Sequence, residues 1–340
     1  AGKIPGGFLR RESRPSYHAI LASRITDRTM RPLFPEGFRN EVQVVSQVMA
    51  VDYDNSPEIT AMFGSSLCVC ISDVPFNGPI AGVYVGRVDG KLIINPTVEQ
   101  RKVSDINLCV AGTMDAINMV EAGAKEVSEE DMLDALMFGH EAVKKLCKFQ
   151  MDIVKKIGVE KNKDIQFKTI PEDLREEVTA KVDKKLRKAV STKDKLEREE
   201  KINAIEKECE DEYVANGADA KTVQNVHEIQ EDIVHNEVRR LIAEDKIRPD
   251  GRKPDEIRPL DAQVDVLGRR VHGSAMFTRG QTQVISCTTL GPLSDKQIID
   301  DLTPEESRRF MHHYNFPQWC VGGTGKLGIL GRREVGHGAL

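Results

Sequence analysis

The sequence predicts an α/β (α+β) chain in which two mixed segments flank an all-helical domain. Three observations carry that expectation. Residues 1–158 alternate short apolar runs with turn and cap signals, the signature of mixed strands and helices. Residues 159–247 are charged, helical in period and poor in aromatics. From Arg248-Pro249-Asp250-Gly251 through residue 340, runs rich in Thr and Val return, separated by Gly and Pro. A chain of 340 residues is long enough for two or three domains with real cores.

Taken in order, Ser16 after Pro15 is a helix N-cap, and the helix it opens runs until Pro32. Arg24, Arg28 and Arg31 then fall at i, i+4 and i+7, on one helix face. Two readings of that face stand: a solvated, salt-bridged surface in which Asp27 serves one or two of the guanidiniums, or an anion-binding surface. Residues 42–51 alternate and read as a strand. Ser56-Pro57-Glu58 combines a cap, an N1 proline and a first-turn acid, and opens a buried helix over about 58–72 that contains Gly64-Ser65-Ser66. Residues 80–88, then Asp89-Gly90, then 91–94 form a hairpin, because Asp-Gly suits the positive φ angles of a type I′ turn.

A short helix is expected from about residue 115. Ser128 with Asp131 makes an approximate capping box for a longer helix that stops at Gly158. Within 159–247, runs such as Asp173-Leu174-Arg175-Glu176-Glu177-Val178 read as solvated helix faces of a separate module. In the last segment the strands are expected at 263–267 and across 273–290.

Composition narrows the function classes. Hydrophobic residues make up 39% and charged residues 30%, and no apolar run approaches the length of a membrane span. The N-terminus lacks a basic region followed by an apolar one, so nothing marks it for secretion, and the absence of an initiator Met reads as a fragment or processed product. The seven cysteines are scattered, without CxxC or Cys/His metal spacing, which fits a reducing cytoplasm, and Cys68 and Cys70, too close for an easy disulfide, read as core cysteines. Net charge is −5, yet residues 1–40 carry eight basic residues against three acids, a local +5. The acidic excess lies elsewhere.

Several motifs fail on inspection. Gly322-Gly323-Thr324-Gly325-Lys326 is not a phosphate-binding P-loop, since Cys320 stands where its first Gly belongs and Leu327 where Ser or Thr must reach magnesium; it reads as a loop. His312-His313-Tyr314 lacks a third ligand and reads as packing or hydrogen bonding. No GxSxG elbow occurs. Two stretches hold. Gly6-Gly7-Phe8-Leu9-Arg10-Arg11 sets an aromatic that stacks on a base beside two guanidiniums that neutralise phosphates. Gly331-Arg332-Arg333-Glu334-Val335-Gly336-His337-Gly338-Ala339-Leu340 sets two arginines and an imidazole beside glycines, which let backbone N–H groups approach an anion.

Six stretches in register then resemble one family. They are residues 4–11; Arg24-Ile25-Thr26-Asp27-Arg28 with Arg31-Pro32-Leu33-Phe34-Pro35; Arg248-Pro249-Asp250-Gly251-Arg252; Phe277-Thr278-Arg279-Gly280-Gln281-Thr282-Gln283; His313-Tyr314-Asn315-Phe316-Pro317; and the terminal ten residues. All resemble bacterial polyribonucleotide nucleotidyltransferases (polynucleotide phosphorylases), over essentially the whole chain. The resemblance implies RNase PH-like (ribosomal protein S5 domain 2-like) segments: the later part of a first copy at 1–158, a helical linker at 159–247 and the first part of a second copy at 248–340, with no segment matching the family's KH and S1 domains.

It further implies a homotrimeric ring that degrades single-stranded RNA from the 3′ end in mRNA turnover, inside an RNA-degradation complex. Inorganic phosphate is the co-substrate, nucleoside diphosphates are the products, and the reverse reaction polymerises them. By the same resemblance Arg332, Arg333 and His337 contact phosphate or RNA, and Arg279 lies near that site. Phe8, Arg10 and Arg11 grip RNA at the channel, with Arg24, Arg28 and Arg31 behind them. Leu9, Gly323, Ile329 and Leu330 depart from the family's commoner residues. The family's Asp-x-Lys before Val-Ala-Gly is replaced by Asn107-Leu108-Cys109, so the first copy is expected to be catalytically silent, with Ser65 and Ser66 left as helix residues. The carboxylates that hold Mg2+ are expected outside this chain, with no metal ligand within it. The alternative is a non-catalytic RNA-binding platform of exosome type.

Overall fold

The computed structural model describes residues 15–299, 307–326, 328 and 330–339. The chain divides into two compact units, Ala1–Lys168 with Gly291–Leu340, and Thr169–Leu290.

In the first unit, helix α1 (Tyr17–Met30) begins where the sequence places it: Ser16 Oγ accepts from Ala19 N at 3.2 Å, and a 3₁₀ turn carries the chain past Pro32. Helix α2 (Pro57–Ile71) has Pro57 in its first turn and buries Met62, Ser65 and Ser66. Strands β1 (Ala81–Val88) and β2 (Lys91–Ile94) form the expected hairpin, with Asp89 at φ 49° and Gly90 at φ 73°. The short helix α3 (Val98–Val103) has a full capping box between Thr97 and Gln100.

Two expectations are corrected here. Residues 117–124 are not helical. They form β4 (Ile117–Ala124), antiparallel to β3 (Ile106–Gly112), after a turn in which Thr113 Oγ1 accepts from Asp115 N and Ala116 N. The ladder along β3, reinforced by Asn118 Nδ2 donating to Thr29 O at 3.0 Å, outweighs the local preference. Residues 42–51 are not a strand, because alternation defines a face whereas a strand needs a neighbour's N–H and C=O, and among the described residues none pairs with them.

The antiparallel sheet runs β2-β1-β3-β4. One face packs Val83, Val85, Leu108 and Val110 against helix α4 (Glu129–Ile157); the other packs Ile80, Cys109, Ala111 and Met119 with residues of α1 and α2. At Gly139 helix α4 comes so close that a Cβ would sit 2.9 Å from Val85 Cγ2. Ser128 caps α4 through Asp131 N at 3.1 Å and the helix stops at Gly158, as expected. The other half of the expected box is diverted, since the Asp131 carboxylate meets Arg87 at 3.0 Å.

In the second unit, helices α5 (Glu172–Val190), α6 (Lys195–Ala215) and α7 (Ala220–Arg240) pack Val182, Leu186, Tyr213, Val226 and Ile229 into one core. Asp194 and Asp219 cap α6 and α7. Most charged residues lie on solvated faces, in pairs such as Lys201–Glu197. Glu237 departs from that pattern, being 3% exposed and held by Arg187 and Arg240. A π turn (Leu241–Asp245) leads to a three-stranded sheet, β5 (Leu260–Val264), β6 (Gly273–Arg279) and β7 (Thr282–Thr288). The strand expected at 263–267 thus lies three residues earlier, because Asp265 turns at φ 60° and ends the ladder.

Candidate phosphate and nucleic-acid interface

The terminal Gly-Arg-Arg-Glu motif, expected to offer glycine backbone to an anion, folds as helix α8 (Arg332–Ala339) in the first unit. Arg332 and Arg333 are exposed in its first turn, where backbone N–H groups have no intrahelical partner and the helix end carries partial positive charge. Glu334 ties this turn down: its two carboxylate oxygens accept from Gly331 N at 2.7 Å and Phe316 N at 2.8 Å. Those two backbone bonds hold the Glu334 carboxyl below the ordinary carboxylate range. His337 lies one turn after Arg333 on the same face, with the Tyr314 ring 4.4 Å from its own. The His-Tyr-Asn-Phe-Pro segment therefore acts as a brace beside α8.

Small residues set the approach of α8. A Cβ on Gly336 would stand 2.3 Å from Arg24 Nε, and one on Gly338 would stand 2.7 Å from His312 O. Arg24 accordingly lies beneath α8, with Nε buried and unbonded among the described residues. The other two arginines of the α1 face are committed to carboxylates, Arg28 to Glu121 on β4 and Arg31 to Asp27. The salt-bridged reading of that face holds for Arg28 and Arg31. Arg24 is brought to α8.

Arg279 is exposed at the end of β6 in the second unit. Phe8, Arg10 and Arg11 lie outside the described residues.

Asn107, Cys109, Ser65 and Ser66 also have clear environments. Asn107 is exposed on β3 opposite Gly86 and Gly123. Cys109 is buried between Tyr84 and Glu121 in the ladder, and its thiol is pushed up to about 12 by burial, then by Glu121 and Glu58. Ser66 Oγ accepts from Ile80 N at 2.9 Å, and Ser65 Oγ is 3.2 Å from Ser46 Oγ, so both serines are engaged within the protein. Among the described residues no group of three or more His, Cys, Asp or Glu side chains is placed to hold a metal ion.

Sequence reading missed two features. Glu58, Arg101, Cys109 and Glu121 gather around Tyr84, with Arg101 over its ring at 5.8 Å. Lys161 Nζ donates to Val69 O, Cys70 O and Ser72 O at 3.0, 3.0 and 2.7 Å, capping the end of α2. Neither has a local signal, because the partners lie tens of residues away. No helix among the described residues is long and apolar enough to cross a membrane.

Known proteins match along the whole chain. The 3′ exoribonuclease family, domain 1, matches residues 1–75 and 256–340; domain 2 of that family matches 78–142; and the polyribonucleotide nucleotidyltransferase RNA binding domain matches 173–253. Polyribonucleotide nucleotidyltransferases of Bacillus pumilus and Bacillus licheniformis are 58% and 59% identical over 339 residues, and that of Streptococcus gordonii is 56% identical over 344. These alignments cover 100% of this chain but only 48%, 48% and 47% of the relatives. The chain spans about half the length of the curated relatives it matches.

Proposed function

The chain belongs to the polyribonucleotide nucleotidyltransferase family, and from that premise we propose that its protein shortens single-stranded RNA from the 3′ end by phosphorolysis. Inorganic phosphate attacks the last phosphodiester and a nucleoside diphosphate leaves; the reverse reaction extends RNA from diphosphates. The reading includes a cytoplasmic homotrimeric ring acting in mRNA turnover within an RNA-degradation complex. Residues 1–158 and 248–340 are its exoribonuclease segments, and 159–247 its helical linker.

The observation that carries the reading is the first turn of α8. Two exposed guanidiniums stand at a helix N-terminus whose geometry Glu334 fixes, with His337 one turn along. Fixed positive charge at that place suits the meeting of two polyanions, a phosphate and an RNA terminus. Arg332 and Arg333 bind and orient the phosphoryl oxygens, and His337, held beside Tyr314, adds a donor. Phe8, Arg10, Arg11 and Arg279 belong to the path of the RNA, with Arg24 behind them and with Arg28 and Arg31, held by Glu121 and Asp27, contributing only where RNA displaces those carboxylates. The family's reaction calls for magnesium as well, for which the described residues gather no group of three or more His, Cys, Asp or Glu side chains.

In the intact protein, Arg332→Ala, Arg333→Ala and His337→Ala should each lower phosphate-dependent ADP release from poly(A) tenfold or more while leaving the melting temperature within a few degrees, because exposed charges contribute little to stability. Parallel loss of activity and thermal stability would make the segment structural.

A further inference from the structure

The second unit carries exposed cations at Lys193, Arg258 and Arg279. Lys193 lies in the turn between α5 and α6, and its aliphatic stem crosses Gly251: a Cβ there would meet Lys193 Cε at 3.0 Å and Cδ at 3.2 Å. Gly251 has φ +83° and follows Asp250, which binds Arg252 at 2.9 Å and reaches Arg258 only at 3.7 Å. Arg258 in turn lays its stem across Gly280, where a Cβ would stand 3.0 Å from Arg258 Cδ. Gly280 has φ +61° and follows Arg279.

Two glycines in left-handed conformation thus seat a Lys and an Arg stem against the backbone, and a side chain at either would displace them. Contacts run from Lys193 through Gly251 and Asp250 to Arg258, Gly280 and Arg279. Among the described residues the Lys193 and Arg279 head groups have no carboxylate partner, and all three cationic residues are exposed. Several other basic residues of the helical segment are held by carboxylates. Lys181, Lys185, Lys195 and Lys201 are each paired with glutamates.

We infer that Lys193 and Arg258, together with Arg279, form a phosphate-contact track for the backbone of single-stranded RNA on this unit. The inference rests on the RNA-degrading function proposed above and adds two residues that no sequence motif singled out. Cations on stems held flat, as those of Lys193 and Arg258 are, bind a polyanion with less loss of side-chain freedom than free-swinging lysines. Such contacts carry no base preference, which suits an enzyme that passes every nucleotide of its substrate.

The test compares two double variants of the intact protein in poly(A) binding across a salt series. Lys193→Gln/Arg258→Gln removes the track; Lys195→Gln/Lys201→Gln removes the same net charge from paired lysines off it. The first pair should flatten the slope of log affinity against log salt by about 1.4, at roughly 0.7 per lost phosphate contact on a single strand. The second pair should leave that slope unchanged, and melting curves should show both folded. Equal slopes in the two variants would overturn the track while leaving RNA degradation intact. A wild-type protein that bound no poly(A) at all would overturn the proposed function and the track with it.

Discussion

Lys161→Met is the most direct probe of how the first unit holds α2 in place. The ammonium donates to three carbonyls at the end of that helix, at 3.0, 3.0 and 2.7 Å. A hydrogen bond to a charged group contributes about 1.5–3 kcal/mol, and a cation at a helix C-terminus about 0.3–1 kcal/mol more. Burial opposes this: it holds the Lys161 amine below its ordinary range, so part of the gain goes into desolvation. Backbone bonds from Val159 N to Ile71 O and from Asn162 N to Asp73 O remain in the variant and keep the chain alongside. The net loss is therefore about 2 kcal/mol rather than the sum of three bonds, or about 4–8 °C in melting temperature for a unit of this size.

Thermal denaturation followed by circular dichroism gives the overall change, and hydrogen exchange at amides near 71–73 gives the local one. Lys161→Arg should recover part of the loss, since a planar guanidinium cannot converge on three acceptors from one point. A Lys161→Met protein that melts within 1 °C of wild type, with unchanged exchange at the end of α2, would refute the account.

Two further outcomes are expected. Burial alone would lower the His227 imidazole, but its bond to Glu210 at 2.9 Å and the nearby carboxylates of Glu231 and Glu206 leave it raised. A raised folded value means the stabilisation is complete below the ordinary value of 6.5 and fades as pH rises through the folded one, so His227→Gln should cost more stability at pH 6 than at pH 8.5; equal losses would count against an ionic contact. The 340-residue chain incubated with poly(A), phosphate and magnesium should release no ADP, because β3 presents an amide at Asn107 and a buried thiol at Cys109, neither of which can hold a metal or carry charge as a carboxylate or an ammonium would; sustained ADP release from contaminant-free protein would place the whole reaction within these residues.

Sequence alone determined the features that close within a few residues. The Ser16 and Ser128 caps, the Asp89-Gly90 turn, the stop at Gly158 and the charged helical segment all hold, because cap, turn and helix bonds join neighbours in the chain. The six motifs likewise revealed the family, since their information is the order of residues itself. Tertiary structure decided the rest. Residues 117–124 became a strand because β3 was there to pair with them, and residues 42–51 did not because no neighbour among the described residues was.

The candidate site divides in the same way. That Arg332, Arg333 and His337 form a basic group was legible, but their setting on a helix braced by Glu334 and Tyr314 was not. Arg24, Arg28 and Arg31 share one face by spacing alone. Their different fates, beneath Gly336, beside Glu121 and beside Asp27, follow from what packs on α1, and two of those partners lie far along the chain. A side chain's type and period are properties of the sequence, whereas its counter-ion and its covering helix exist only once distant segments have been brought together.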